Sequence, residues 1–212
     1  MARRPLTRQR ILKAALRIAD RDGLDAISMR RIGVEVGAEA MSLYHHVANK
    51  AAIFDGLQAL LLSESKLPTG DVGWEEWVRG FTDAFRRLSQ RHPRCVPLFA
   101  SRGISTPDAL APFEAGLAAF RRTGLTPKAA YHSLQTVTAV AVGLGLVEAA
   151  ATTNPLEAGI DPEAGALERF PHVTEALLAV GQFDADALWR FVVDTLVAGI
   201  ASQLPGSSES DH

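Results

Sequence analysis

Apolar residues recur at intervals of three and four along almost the whole chain, which is the spacing of helices that bury one face. Long runs of alternating β-branched residues, which would indicate strands, are absent from the sequence. The pattern therefore predicts an all-α fold. Helices are expected at about residues 7–22, 29–36, 40–46, 50–65, 74–91, 107–122, 127–153, 172–180 and 184–203. The prolines at 93 and 97 bracket a further short, irregular helix, which should reach about residue 101.

Capping signals set the ends of these helices. Thr7, Ser28 and Asn49 are candidate N-caps, because their side-chain oxygens can accept hydrogen bonds from the free amides of a first helical turn. Threonine followed by proline, at 106–107 and 126–127, predicts the start of two further helices. Gly37 ends the helix at 29–36 and begins a tight turn.

Pro68, Gly70 and Gly73 indicate a break between domains or helices. We predict an N-terminal three-helix domain at 1–50, a connecting helix at 50–66, and a larger C-terminal domain at 67–204. Residues 154–171 contain three prolines and two glycines and predict a loop. Residues 205–212 predict a disordered tail.

Charge is unevenly distributed between these parts. Residues 1–50 carry a net charge of +5, whereas the remainder carries −7. A basic end on an acidic body indicates that only the first part meets a polyanion. Solvated basic helix faces are also common, so this signal alone is weak.

The single cysteine, Cys95, permits no intrachain disulfide, which fits a reducing cytoplasm. No apolar run of signal-peptide length follows the N-terminus. The most apolar stretch, 137–147, is judged too short to cross a bilayer. We expect a soluble, cytoplasmic protein without a membrane partner.

Residues 28–46 form the most informative segment. A helix of eight residues, a glycine turn and a second short helix make a helix-turn-helix, whose second helix can enter the DNA major groove, roughly 12 Å wide. Leu43 and Val47 would hold this second helix to the core, and Met41 could face either way. The residues expected to point outward are Glu39, Ala40, Ser42 and His45.

Basic residues flank the turn at the positions where DNA phosphates would lie. They are Arg3, Arg4, Arg30, Arg31 and Lys50.

The segment from Ile11 to Leu57 resembles the TetR family of bacterial repressors. The resemblance is carried by Ile-Leu-Lys-Ala-Ala from residue 11, Gly-Leu-Asp-Ala-Ile-Ser-Met-Arg-Arg-Ile from residue 23, Val-Gly-Ala from residue 36, and Ser-Leu-Tyr-His-His-Val-Ala-Asn-Lys from residue 42. The last run is highly specific and is most similar to the tetracycline-repressor branch. The rest of the chain is similar to the family in architecture.

This resemblance implies a double-stranded operator as partner and a role for each matching residue. Arg30 would reach a base or a phosphate, and residues 40–42 would face base edges. Residues 44–46 would contact phosphates or thymine methyls, and Lys50 a phosphate, aided by helix N-terminal amides. The full set of predicted DNA contacts is Arg4, Ser28, Arg30, Arg31, Glu39, Ala40, Met41, Ser42, Tyr44, His45, His46 and Lys50.

Two departures from that branch matter. Ala40 and Met41 stand where it carries a polar residue and a proline, so the operator should differ.

His45 and His46 diverge by about 100° around a helix and cannot chelate a metal together. We predict no metal and no cofactor.

Aromatic residues concentrate in the middle of the chain around the short proline-broken helix. At helical spacing such residues are more often plain core, but their concentration there also suits a pocket for a small apolar or amphipathic effector. Glu148 lies about where the tetracycline branch has a carboxylate, yet the short helix lacks the histidine counterpart, so neither tetracycline nor magnesium is expected. The candidate ligand residues are Trp77, Phe81, Phe85, Phe99, Phe113, Tyr131, His132, Gln135, Thr138 and Glu148.

The helix at 127–153 is apolar nearly all round, and the helix at 184–203 is apolar along one side. Resemblance to the family implies that they form a four-helix bundle with a second copy, which gives a twofold homodimer and a palindromic operator with half-sites roughly 34–36 Å apart. The predicted interface residues are Val140, Leu144, Val147, Leu188, Phe191, Val192, Thr195, Leu196 and Gly199.

Two other functions find some support in the sequence. Ser63 and Lys66 superficially match a serine-acylase motif, but the partner motifs of such enzymes are absent from the sequence, so we predict no enzyme. A helical dimer that binds a ligand or partner without DNA stays open. The favoured prediction is a DNA-binding regulator, most simply a repressor released from its operator by the effector.

Overall fold

A computed structural model describes residues 5–104, 106–153, 167–181 and 184–205. The regular elements in these ranges are all helical, as predicted. They are α1 (Arg8–Asp22), α2 (Met29–Val36), α3 (Ala40–Leu43), α4 (Lys50–Glu64), α5 (Trp74–Arg91), α6 (Pro97–Ser101), α7 (Pro107–Arg122), α8 (Pro127–Thr153), α9 (Pro171–Val180) and α10 (Ala185–Ala201), with 3-10 turns at Leu24–Ala26, Pro93–Cys95 and Leu167–Arg169. Arg3, Arg4, most of the predicted loop and residues 206–212 lie outside the described residues.

Capping side chains begin several helices as the sequence predicts. Three of them accept a hydrogen bond at 2.9–3.2 Å from the amide three residues further on: Thr7, Ser28 and Asn49. Thr126 does the same for α8, at 3.2 Å. Thr106 does not cap α7 in this way: its buried Oγ1 has no hydrogen-bond partner among the described residues. The helix that follows it nevertheless begins at residue 107, since proline pre-sets the helical φ angle.

The buried apolar residues form two clusters. The first lies among α1–α4, which we call the head, and it includes Leu88, Cys95 and Leu98 from beyond those helices. The second lies among α5, α7, α8 and α10, which together with α6 and α9 we call the body. Phe99 of α6 packs against both clusters, so α6 lies where the two cores meet.

An ion network ties three helices of the body together. Arg86 of α5 donates to Glu148 of α8 at 2.9 Å and to Asp186 of α10 at 2.6 Å. Its guanidinium carbon also lies 5.0 Å from the ring centroid of Trp189. The hydrogen bond to Glu148 is the main cause that raises the pKa of Arg86 above its ordinary value, against the effect of burial.

Helix α8 corrects one sequence expectation. Its segment Pro127–Ala151 is long and apolar enough to cross a membrane, whereas the apolar stretch expected from the sequence spans only residues 137–147. The difference arises because small and weakly polar residues extend the apolar segment at both ends. Core helices of soluble proteins share this length and apolar composition. Only 28% of this segment is buried, so much of α8 is uncovered.

Candidate nucleic-acid interface

The turn between α2 and α3 depends on two glycines. Gly37 adopts the left-handed conformation (φ +67°, ψ +39°) and its amide donates back into the end of α2. The carbonyl oxygen of Gly33 accepts a hydrogen bond from the amide of Ala38, at 2.9 Å. A Cβ at Gly33 would lie 2.7 Å from the carbonyl oxygen of Ala38, so the close approach of α2 to the turn requires glycine there. Sequence reading missed this role, although a glycine inside a predicted helix is itself a signal of close packing.

Helix α3 is held by its inward side and open on its outward side. Leu43 and Val47 are buried in the head core, as predicted. Met41 is 73% exposed and Tyr44 is 48% exposed, so both side chains present apolar surface to solvent. The regular helix ends at Leu43, and residues 44–46 continue as a turn, so this helix is shorter than the sequence predicted.

The remaining predicted contacts of this segment are also reachable by solvent. Glu39, His45 and His46 are exposed, whereas Ser28, Ala40 and Ser42 are half-buried. Ser28 uses its hydroxyl as the N-cap of α2, which leaves that oxygen engaged within the head. Among the twelve candidates, all those that the structure describes therefore lie at least partly on the surface.

The neighbouring arginines Arg30 and Arg31 differ in their surroundings. Both are exposed, but Arg31 forms an ion pair with Asp22. Burial acts to raise the pKa of Asp22, yet hydrogen bonds and charge from Arg21 and Arg31 outweigh it and lower that pKa below its ordinary value. Arg30 has no ion pair among the described residues, so it is the freer of the two to meet a phosphate.

Lys50 lies at the start of α4, where Asn49 accepts from the amide of Ala52. Its Nζ atom lies 5.3 Å from the ring centroid of Phe54, while the side chain stays exposed.

Arg10 was not singled out from the sequence. Its Nη2 donates to the carbonyl oxygen of Val36 at 2.7 Å, which fixes the end of α2 against α1. Nothing in the sequence pattern marks this contact, because it joins residues 26 positions apart.

The aromatic ligand candidates pack against one another in the body core. Trp77, Phe81 and Phe85 are fully buried, and Phe113 and Phe99 are half-buried beside them. Ring centroids lie 4.9 Å apart for Trp77 and Phe81 and 5.2 Å apart for Phe85 and Phe99. Trp77 Nε1 donates to the carbonyl oxygen of Pro112 at 2.9 Å. The structure brings these aromatic residues together as a closely packed cluster.

The polar ligand candidates lie elsewhere on α8. Tyr131, His132 and Gln135 are exposed, and Thr138 is half-buried with its hydroxyl donating to the carbonyl oxygen of Gln135. The buried side of α8, which faces α5, instead carries small and apolar residues such as Ala141. Glu148 is engaged by Arg86 and by Gln90, whose Nε2 donates to it at 3.0 Å. The structure therefore separates most of the polar candidates from the aromatic cluster.

The predicted interface residues of α8 and α10 are largely uncovered. Phe191 is 68% exposed, and Val147 is 54% exposed. Leu188, Thr195 and Gly199 are exposed on α10, and the half-buried remainder are Val140, Leu144, Val192 and Leu196.

Polar contacts join the head to the body beside α6. Arg102 Nε donates to Asp55 of α4 at 2.9 Å, and Gln58 Nε2 of α4 donates to the carbonyl oxygen of Arg102 at 3.3 Å. Because α4 also begins with Lys50, five residues before Asp55, these contacts connect the body to the predicted DNA surface. None of these contacts was predicted from the sequence.

A helix-turn-helix head on a larger helical body defines a class of DNA-binding regulators, and family models identify the family. Residues 11–57 match the model described as bacterial regulatory proteins, tetR family, and residues 67–204 match the tetracyclin repressor-like C-terminal domain. The chain belongs to the TetR family. Members of this family are transcription factors, so the predictions of a DNA-binding regulator and of no enzyme are confirmed at this level.

Several known proteins are similar to the chain. The HTH-type transcriptional repressor DrrR1 of Streptomyces coeruleorubidus is 36% identical over 123 residues, which are 57% of this chain and 46% of that protein. The chain thus spans about half the length of this relative. The class A tetracycline repressor from transposon 1721 of Escherichia coli is 24% identical over 91% of this chain and 89% of its own.

A solved structure is similar over almost the entire chain. The TetR family protein ActR of Streptomyces coelicolor, in complex with actinorhodin, is 26% identical and superposes with a TM-score of 0.80. The superposition covers 97% of this chain and 100% of that chain. The all-α architecture of head and body is therefore shared with that protein.

Proposed function

We propose that the protein is a cytoplasmic, homodimeric repressor that binds a palindromic DNA operator and releases it when a small apolar or amphipathic effector binds the body. The observation that carries the DNA-binding part is the solvent-facing α3, which buried Leu43 anchors while Met41 and Tyr44 stay exposed. A short helix presented in this way fits the major groove. The net charge of +5 on residues 1–50 favours the approach of this surface to DNA.

Within this surface, phosphate and base contacts fall on different residues. Lys50 and Arg30 carry exposed charges and suit phosphates, which position the protein without reading sequence. Met41 presents an apolar side chain and suits the C5-methyl group of thymine, which is the apolar group in the major groove. Because Ala40 has no hydrogen-bonding side chain, we expect apolar contact to contribute much of the readout at this helix.

The uncovered apolar side chains of α8 and α10 support the dimer. Val147 and Phe191 would each lose solvent contact in a four-helix bundle formed with a second copy. A twofold dimer places two heads on one duplex about one helical turn apart and therefore matches a palindromic operator.

The effector part rests on the aromatic cluster and on the route from it to the head. Phe85 and Phe99 are in ring contact, and Phe99 lies against both cores. An effector that separated these rings would move α6, and α6 is joined to α4 through Arg102 and Asp55. It would shift the equilibrium only by its difference in affinity between the two head positions. ActR, the similar protein described above, forms a complex with actinorhodin, which supports an effector for this protein too.

Two substitutions test the DNA surface by separate criteria. An operator is first selected from random duplexes by the wild-type protein, and affinity is then measured by fluorescence anisotropy at several salt concentrations. Lys50→Gln should weaken binding to all sequences and lower the salt slope by about 1, because one phosphate contact is lost. Met41→Ala should weaken binding to the selected operator only, and replacing one thymine by deoxyuridine should abolish the difference between Met41→Ala and wild type.

Matched controls keep this test specific. Val34→Ala removes an exposed apolar side chain from α2, and Lys128→Gln removes an exposed charge from α8. Both should bind the operator like wild type. The proposal is rejected if no duplex shows saturable, salt-sensitive and sequence-preferring binding; a helical dimer that acts without DNA would then be favoured. Actinorhodin is the first effector to assay for release of the duplex.

A further inference from the structure

A cleft of about 350 Å³ lies between the end of α4 and the C-terminal half of α5, apart from the aromatic cluster. Its floor is apolar and consists of Leu61, Ala84 and Leu88, which are all buried. Leu61 and Leu88 belong to the head core and Ala84 to the body core, so a molecule on this floor would contact both. The volume lies in the range of small-molecule sites, which begins at about 300 Å³.

The rim of this cleft carries three basic side chains. Lys66, Arg87 and Arg91 line it, are exposed, and form no ion pair among the described residues. One carboxylate, Glu64, is also on the rim, which leaves an excess of positive charge. His92 completes the lining, but its Nδ1 is already 2.9 Å from Asp20. Elsewhere in the described head and body many arginines are paired with carboxylates, as Arg86 and Arg102 are.

The backbone at Lys66 supports a role for its side chain. Lys66 has φ +52°, and it is the only described residue other than glycine with a positive φ. It directly follows Ser65, the C-cap of α4, at the position where helices usually place glycine. A lysine there adopts an unfavourable backbone conformation and adds a cation to the cleft.

We propose that this cleft binds a small amphipathic carboxylate, whose apolar part covers the floor and whose carboxylate lies among Lys66, Arg87 and Arg91. Arginine and lysine bind carboxylates through charge-assisted hydrogen bonds, and the apolar floor requires more than a bare anion. The site is separate from the proposed effector region, since Phe81, Phe85 and Phe99 do not line it. It can be tested without DNA, so its failure leaves the proposed function untouched.

Octanoate is a suitable probe, because it joins one carboxylate to a short apolar chain. Ser65→Cys places a thiol in the cleft lining, and the rate of its alkylation by uncharged iodoacetamide is measured in the full-length protein. The natural Cys95 gives little background, because burial raises the pKa of its thiol to about 12. Octanoate should slow alkylation at least fivefold in a saturable manner. Octanol and inorganic phosphate at the same concentrations should slow it less than twofold.

Charge variants made in the Ser65→Cys background complete the test. Arg87→Gln with Arg91→Gln should weaken the apparent octanoate affinity at least fivefold, whereas Lys128→Gln, which removes a charge far along the chain on α8, should leave it unchanged. Circular dichroism checks folding, and Lys66→Gln alone serves if the double variant does not fold. The proposal is overturned if octanoate gives no saturable protection, if octanol or phosphate protects equally well, or if the rim variants bind octanoate like wild type.

Discussion

His92 Nδ1 lies 2.9 Å from Asp20 Oδ1, so the residue that follows α5 in the body contacts the end of α1 in the head. Two further polar contacts lie beside it: Arg94 donates to the carbonyl oxygen of Arg21, and Cys95 Sγ lies 3.8 Å from Asp20 Oδ1. The 3-10 turn at Pro93–Cys95 thus holds the head against the body on one side. A second contact, between Arg102 of the body and Asp55 of the head, also holds the two parts together.

Removing the Asp20 carboxylate should loosen this junction. Asp20→Ala leaves the His92 ring and the Cys95 thiol without their acceptor, and we expect a loss of about 1 kcal/mol in the free energy of unfolding. A larger loss is not expected, because the Asp20 side chain is about a third exposed and water screens the pair. For a chain of this length that corresponds to a fall of about 2–4 °C in Tm.

Asp25→Ala is the matched control, because Asp25 is an exposed carboxylate in the following 3-10 turn. Calorimetry should show a lower Tm for Asp20→Ala only, and hydrogen exchange should be faster at the end of α1 and around residues 92–95. Equal Tm values for the two variants would show that the His92–Asp20 contact does not stabilise the junction.

The thiol of Cys95 should make stability depend on pH in the alkaline range. Burial raises its pKa from 9.0 to about 12, and the charge of Asp20 adds to the rise. Between these two values the unfolded chain releases the thiol proton while the folded protein keeps it. Stability is therefore fully retained below about pH 9 and falls as pH rises, by up to about 1.4 kcal/mol per pH unit from this group.

Cys95→Ala isolates this contribution, since every other alkaline group remains. The free energy of unfolding in urea should fall less steeply in the variant than in wild type between pH 9 and pH 10.5. A cavity left by the sulfur would lower the whole curve of the variant without changing its slope. Parallel pH profiles for the two proteins would contradict the assigned pKa of Cys95.

The helices were predictable because their signals are local. The start of α2 follows from Ser28, whose hydroxyl accepts from an amide three residues away, and the start of α7 follows from Pro107. The packing of α3 was also predictable, since the outward and inward sides of a short helix follow from its period. Leu43 is buried and Met41 exposed for this reason.

The junction and the cleft could not be predicted in this way. His92 and Asp20 are 72 positions apart, and Arg102 and Asp55 are 47 apart, so no periodicity relates them. The polar ligand candidates illustrate the same limit. The apolar composition of α8 did not reveal which of its sides faces α5, and residues such as Tyr131 were assigned to the side that the structure leaves exposed.

Gly33→Ala should damage the head although alanine is the better helix former. The added Cβ would lie 2.7 Å from the carbonyl oxygen of Ala38, and overpacking of this kind costs about 1–3 kcal/mol. The gain in helix propensity offsets about 1 kcal/mol of that cost. We expect a lower midpoint in urea, followed by circular dichroism, and weaker operator binding because α3 is displaced.

Gly103→Ala is the control, because a Cβ there meets open space and its φ is not positive. It should stay within about 0.5 kcal/mol of wild type and bind the operator normally. If Gly33→Ala behaved like Gly103→Ala in both assays, α3 would not depend on the close approach at Gly33.

A charge at Phe191 should separate the proposed dimer into subunits. Phe191 is 68% exposed on α10 and lies in the predicted interface, so Phe191→Glu would bury a carboxylate beside its twofold copy. Like charges across the axis should raise the dimer dissociation constant at least a hundredfold, which light scattering detects as a halved mass. Leu110→Glu, a similar change at an exposed leucine of α7, should leave the mass unchanged. Operator affinity should fall only in Phe191→Glu, because a lone head reads one half-site. A Phe191→Glu protein that keeps its dimer mass would exclude this face of α10 from the interface.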